Sequence, residues 1–206
     1  INYTCSSYGV SLFGVGHTIK NCEIYDLPHK AIAFDGNYHT IEKNKIHNVC
    51  YEVDDAGAVY CGRDWGLYGN VIRHNFIYNI TGSPYKKHHK RMGIHAIYLD
   101  DYASGITVFG NVIYNVSNSG IVNSGGRNNI IENNLIIKCK YAHRVFYGPH
   151  LTKHKKEMYA RLNSFNYKES PWADAFPQLT DMSEYKSLFI DNLKLEHIQH
   201  KFPYIF

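Results

Sequence analysis

Five segments of this 206-residue chain repeat one pattern, and that repetition limits the fold more than any single residue does. They are Thr18–Ile24, Thr40–Ile46, Val71–Ile77, Thr107–Ile113 and Ile130–Ile136. Their second positions are Ile19, Ile41, Ile72, Val108 and Ile131, separated by 22, 31, 36 and 23 residues. A period near 22 with alternating β-branched residues predicts a solenoid of strands, each repeat forming one rung. The two long steps are rungs carrying roughly ten extra residues in loops, and such insertions gather on the binding face of a solenoid.

Each repeat reads as two short strands joined by a tight bend. Asn44, Asn75, Asn111 and Asn134 recur at one place in the first strand, and Cys22 fills that place in the first repeat. Asn tolerates the left-handed backbone conformation and suits a bend between sheets. Stacked amides can also bond one another along the axis. The second strands align when Ile32, Val59, Ile97, Ile121 and Val145 are set in register, and short β-branched runs between Gly and Asn indicate strands rather than helices. The period fails after Tyr147, and Lys155–Leu162 has helical character. The expected organisation is therefore all-β, with solenoid rungs over 1–148, an irregular and partly helical excursion over 149–187, and a partial terminal rung over 188–206.

Composition narrows the function. No stretch approaches the roughly 20 apolar residues of a membrane span, so no membrane partner is expected. The net charge of +4 is mild. Its concentrated runs, Lys86–Arg91 and Lys153–Lys156, read as solvated loops or as attraction for a polyanion such as a uronic-acid polymer; nucleic acid is not expected as a partner. The chain starts at Ile1 and shows no capping segment, which suggests a processed or excised piece. Cys5, Cys22, Cys50, Cys61 and Cys139 lack zinc-type spacing, and no disulfide is demanded. Three glycosylation sequons, at Asn2, Asn79 and Asn115, lean toward a secreted, periplasmic or extracellular protein.

The polar residues that the repeat gathers point to chemistry. Asp54 and Asp55 precede the strand at Ala58, and Arg63, Asp64 and Trp65 follow it. One rung on, Asp100 and Asp101 end the corresponding strand, and a further rung on Arg127 follows Gly125–Gly126. Neighbouring rungs lie ~4.8 Å apart, so Asp55 and Asp100 are expected to approach across the ladder. Two carboxylates at such spacing are what glycoside hydrolysis uses, and crowding raises the pKa of one so that it can donate a proton. Trp65 is a candidate sugar platform, with Tyr68, Tyr98 and Tyr102 behind it. His29, just before a second strand, can reach the same groove. The insertions over 78–94 and 49–56 are expected to wall it.

The runs Asp54–Trp65, Ile97–Gly105 and Gly125–Asn129, with Ser170-Pro171-Trp172 and Phe176-Pro177, resemble right-handed parallel β-helix repeat proteins of the pectate-lyase-like superfamily. Within it the chain looks closest to proteins linked to a glycoside hydrolase family with fucosidase and xylanase members. The resemblance implies a right-handed parallel β-helix and a carbohydrate-active enzyme acting on a polysaccharide or oligosaccharide without a cofactor. Its catalytic carboxylates would be Asp55 and Asp100, with Asp54 and Asp101 as alternatives. Asp54, Asp101, Arg63, Asp64, Trp65, Arg127 and His29 would bind substrate. A polysaccharide lyase is the second expectation, in which carboxylates hold Ca²⁺ and Arg127 or Arg63 abstracts a proton. A non-catalytic carbohydrate-binding or structural solenoid is the third.

Overall fold

The computed structural model describes residues 8–82, 93–146 and 151–183. Its strands are Val10–Val15 (β1), Thr18–Lys20 (β2), Glu23–Leu27 (β3), Ile32–Asn37 (β4), Thr40–Glu42 (β5), Lys45–Val49 (β6), Asp55–Gly62 (β7), Val71–Arg73 (β8) and Phe76–Ile80 (β9). They continue as Gly93–Asp100 (β10), Thr107–Phe109 (β11), Val112–Ser124 (β12), Ile130–Glu132 (β13) and Leu135–Phe146 (β14). Every pairing among them is parallel. The helices Leu151–Leu162 (α1) and Trp172–Ala175 (α2) follow, then a 3-10 turn over Pro177–Ser183.

A rung holds three strands, not the expected two, because the repeated seven-residue segment is itself bent. β2, β5, β8, β11 and β13 form one sheet. β3, β6 and β9 pair onward into the first part of β12, while β1, β4, β7 and β10 pair into its second part. β12 and β14 run through the corner between these two, where their pairing shifts register between Val116 and Ser119. Extra backbone at such a corner bends the strand without ending it.

The repeat explains the register. Ile19, Ile41, Ile72, Val108 and Ile131 stand level with one another, as do Ile24, Ile46, Ile77, Ile113 and Ile136. Ile32, Val59, Ile97 and Ile121 form a third interior column. The last member differs from expectation: His143 pairs with Ile121, and Val145 pairs with Asn123 two residues along. Val145 is exposed. In β14 the interior row is no longer marked by β-branched residues, so matching side-chain type picked the wrong position.

The recurring Asn residues form the expected ladder. Asn44 Nδ2 donates to Asn75 Oδ1, Asn75 Nδ2 to Asn111 Oδ1, and Asn111 Nδ2 to Asn134 Oδ1, all at 2.9–3.0 Å. Each Oδ1 also accepts the backbone N–H of the preceding rung's ladder residue, beginning with Cys22. The left-handed residue is the one before the ladder position: Asn21, Lys43, His74 and Asn133 have φ of 54–57°, and Gly110 has 63°. The ladder Asn is therefore the clasp of the bend, and its neighbour is the hinge.

The described residues fall into two compact units divided after Asn166. The solenoid and α1 belong to the first, and α2 with the 3-10 turn to the second. The stretch 188–206, expected to add a partial rung, lies outside the described residues, as does most of the expected loop wall over 78–94.

Candidate active site

Side chains of β7 and β10 alternate between the interior and the outer face. Val59, Cys61, Ile97 and Leu99 belong to the core, which turns Tyr60, Gly62, Tyr98 and Asp100 outward. Tyr60 stands level with Tyr98, and Gly62 with Asp100. The Tyr60 hydroxyl donates to Asp100 Oδ2 at 3.0 Å, and the Tyr98 phenol bonds the same carboxyl. Oδ1 accepts the N–H of Asp101 at 2.8 Å. In spite of these donors the Asp100 carboxyl is pushed up to about 6, first by burial and then by the negative charge of Asp101. Burial and the Asp100 charge push the Tyr60 and Tyr98 phenols far up as well, so both remain donors.

Gly62 keeps this arrangement open. A Cβ there would stand 3.2 Å from Asp100 Cβ and 3.2 Å from the Tyr60 hydroxyl. Both are closer than ordinary side-chain packing, so any larger residue would press on the hydrogen bond between them.

Lys30 is the member of this group that the sequence did not single out. It precedes β4, is 8% exposed, and places its ammonium 3.5 Å from the Tyr60 ring centroid and 5.2 Å from that of Tyr8. Burial draws its pKa down, and the charges of Asp100 and Asp55 oppose that fall. A signal was present. Lys30 stands two residues before Ile32, as His95 does before Ile97, so it occupies a row shared by successive rungs.

Asp55 and Asp100 do not face each other directly across the ladder. Asp55 opens β7 opposite Gly93, whereas Asp100 closes β10 opposite Gly62, seven register positions further along (62 − 55 = 7). The cause is that Asp55 leads into its strand and Asp100 leads out of one. Both carboxylates nevertheless act on the same two groups, Lys30 and Tyr98. Asp55 is exposed and Asp100 half-buried.

The other sequence candidates divide. Arg63 Nε bonds Asp101 Oδ2 at 2.9 Å at the exposed lip of the site, and that contact raises the Arg63 pKa further. Arg63 has φ 59° and Asp101 φ 35°, so both mark the corner where the strands leave the sheet. Asp54 is half-buried beside Asp55, and its Oδ2 has no hydrogen-bond partner among the described residues. Asp64 is engaged locally: Oδ1 accepts the Gly66 N–H at 2.6 Å and Oδ2 lies 3.7 Å from Arg161 of α1. Burial raises its pKa.

Trp65 is corrected as a sugar platform. It is 2% exposed and packs edge-on to Tyr159 of α1 with ring centroids 4.9 Å apart. Tyr68, Tyr98 and Tyr102 are also buried. The helix that covers Trp65 was visible in the sequence only as a helical tendency, without its docking site. His29 is buried, and its Nδ1 accepts the N–H of Lys30 at 2.9 Å, so it builds the seat of Lys30. Arg127 reaches the Tyr68 hydroxyl rather than Asp100; its own N–H donates to Ser104 Oγ. Among the described residues no three His, Cys, Asp or Glu gather as ligands for one metal ion. Cys22, Cys50, Cys61 and Cys139 are free thiols.

The parallel strands stack as a three-sided solenoid, and the half-buried Asp100 carboxyl stands on one of its outer faces. Residues 8–165 match the right-handed β-helix region family, and the chain belongs to that family. Such regions are common to pectate lyases and glycoside hydrolases. No curated protein matches the chain. No solved structure matches it either.

Proposed function

We propose that the protein is a glycoside hydrolase acting on a polysaccharide or oligosaccharide, with Asp100 as general acid and Asp55 as the second carboxylate. The observation that carries this reading is the Asp100 carboxyl at about 6, with the exposed Asp55 near enough for both charges to act on Lys30 and Tyr98. A hydrolase needs one carboxyl that keeps its proton and another that meets water or the sugar, and unequal environments separate the two roles. Tyr60 and Tyr98 orient the Asp100 carboxyl, while the Arg63–Asp101 pair at the lip is suited to sugar hydroxyls. Kinship with the fucosidase- and xylanase-containing group, and a secreted or periplasmic setting, accord with such a substrate.

The lyase alternative is weaker at the residues first considered for it. Arg63 is held more firmly protonated by Asp101, and Arg127 is turned to Tyr68, so neither is prepared to accept a proton. A panel of neutral and uronic-acid oligosaccharides tests the assignment. Release of new reducing ends by the native protein, lost in Asp100→Asn, supports hydrolysis. An ultraviolet-absorbing unsaturated uronide would replace it with elimination. Binding without turnover, unchanged in an Asp55→Asn/Asp100→Asn variant, would leave a binding module.

A further inference from the structure

We propose that Lys30 is a positioning residue for Asp100, acting through Tyr60: its ammonium on the Tyr60 ring strengthens the hydrogen bond by which the phenol holds the carboxylate. The inference deepens the hydrolase reading and rests on Asp100 being its acid.

The geometry forms a short relay. Lys30 Nζ is 3.5 Å from the Tyr60 ring centroid, and Tyr60 Oη is 3.0 Å from Asp100 Oδ2. A cation on a ring face is attracted to the negative face of its quadrupole. It withdraws density from the ring and makes the phenol a stronger donor. A stronger donor favours the ionised carboxylate, so Lys30 opposes the rise that burial imposes on Asp100. The lysine is poorly placed to touch substrate, being 8% exposed. Its seat is built by two rungs: its own N–H donates to His29 Nδ1 at 2.9 Å, and the His29 carbonyl accepts the Cys50 N–H at 2.9 Å. A flexible, strongly hydrated side chain gives up considerable freedom to be held in this way. Covering the ring does not by itself call for a charge, since an apolar side chain would serve.

Other groups also face Asp100, and the experiment must separate them. Asp101 and Arg63 stand at the corner, Tyr98 on β10 and Tyr60 on β7 bond the carboxyl, and its charge also acts on Cys61 in the core beneath. Only Tyr60 connects Lys30 to the carboxyl through a ring contact and a hydrogen bond.

The test is the titration midpoint of the Asp100 carboxyl carbon, followed by NMR in the intact protein and in Lys30→Met, Tyr60→Phe and the double variant. Lys30→Met should raise the midpoint by about half a pH unit to one unit, and Lys30→Arg should leave it near the native value. In the Tyr60→Phe background the Lys30→Met shift should shrink to less than half, the signature of coupling through a shared group. No upward shift in Lys30→Met, or an equal shift in both backgrounds, overturns the proposal. If Lys30→Met does not fold, Asp100→Asn supplies the reciprocal measurement, because linkage between two sites is mutual. The Lys30 Cε resonance should then titrate at lower pH than in the native protein, with a drop less than half as large in a Tyr60→Phe background, and an unchanged midpoint or an equal drop in both backgrounds overturns the proposal. None of these readouts needs turnover. An inactive protein with coupled midpoints sinks the hydrolase assignment alone, and an active one with uncoupled midpoints sinks only the role of Lys30.

Discussion

The Asn ladder and the Asp100 cluster are both polar assemblies built by stacking rungs, yet they are built to opposite ends. In the ladder every group is neutral and matched: Asn75 Oδ1 accepts from Asn44 Nδ2 and Asn44 N, and its Nδ2 donates to Ile41 O and Asn111 Oδ1. Four bonds satisfy one amide, and nothing remains to react. Around Asp100 the donors are also present, but the group they surround is an acid beside a second acid, in a place that disfavours its charge. Saturated neutral polarity holds the corner, whereas desolvated charge leaves a proton available for transfer.

The contrast can be broken from its reactive side first. Asp100→Asn should lower turnover roughly a thousandfold, within the range expected for loss of a general acid. The same substitution should stabilise the fold by about 1–3 kcal/mol at pH 8, because it removes a disfavoured buried charge. The sign follows from the raised pKa. Between about pH 4 and 6 the folded protein holds a proton that the unfolded chain releases, so native stability declines as pH rises through that window and then levels off. Comparing denaturant midpoints of native and variant protein at pH 4 and pH 8 checks it: the gap should open only at the higher pH.

Breaking the ladder should have the reverse effect. Asn75→Ala removes the acceptor of Asn44 N and of one Asn44 Nδ2 hydrogen, the other still donating to Ile19 O, and the side-chain donor to the Ile41 carbonyl; each lost buried bond costs about 1 kcal/mol or more. A loss of roughly 3 kcal/mol is expected by chemical denaturation, with the Asp100 midpoint unmoved. If the midpoint shifts instead, the two regions are not independent.

Gly62→Ala sharpens the comparison at smaller scale. It should reduce turnover about tenfold by displacing the Tyr60–Asp100 bond, at a stability cost near 1 kcal/mol for a tight contact. The smallest effect belongs to His39, which clasps a different corner. Its Nδ1 accepts the His17 N–H at 3.1 Å and its Nε2 faces the Asp35 carbonyl at 3.0 Å, so the neutral ring with its proton on Nε2 fits both contacts. Burial lowers its pKa. Its contribution is therefore complete above the unfolded value near 6.5 and declines as pH falls below it. His39→Asn, which keeps a short polar side chain, should flatten stability across pH 5–7 relative to the native protein.

Much of the solenoid was legible because a stacked rung imposes one spacing on every repeat. Ile19, Ile41, Ile72, Val108 and Ile131 had to be apolar and level, and the same geometry selected Asn44, Asn75, Asn111 and Asn134. The third strand of each rung was hidden, since a three-residue strand bent at a residue such as Lys43 or His74 carries no marker of its own. Asp100 and Asp101 were visible as an acidic pair at a strand end, and Asp54 and Asp55 as another at a strand start. Their separation follows from those opposite ends: each residue adds ~3.3 Å along a strand, so seven register positions outweigh the ~4.8 Å between rungs.

The sequence by itself determined that strands would stack, which residues would fill the interior, and where the corners would be clasped, because those follow from periodic local constraints. Only the tertiary structure decided which polar groups meet. It buried Trp65 under α1, turned Arg127 to Tyr68, seated Lys30 on the ring of Tyr60 and left Asp100 in surroundings that disfavour its charge. The reason is physical: a carboxyl's proton affinity depends on burial and on neighbours brought from distant parts of the chain, and neither is encoded in the few residues around it.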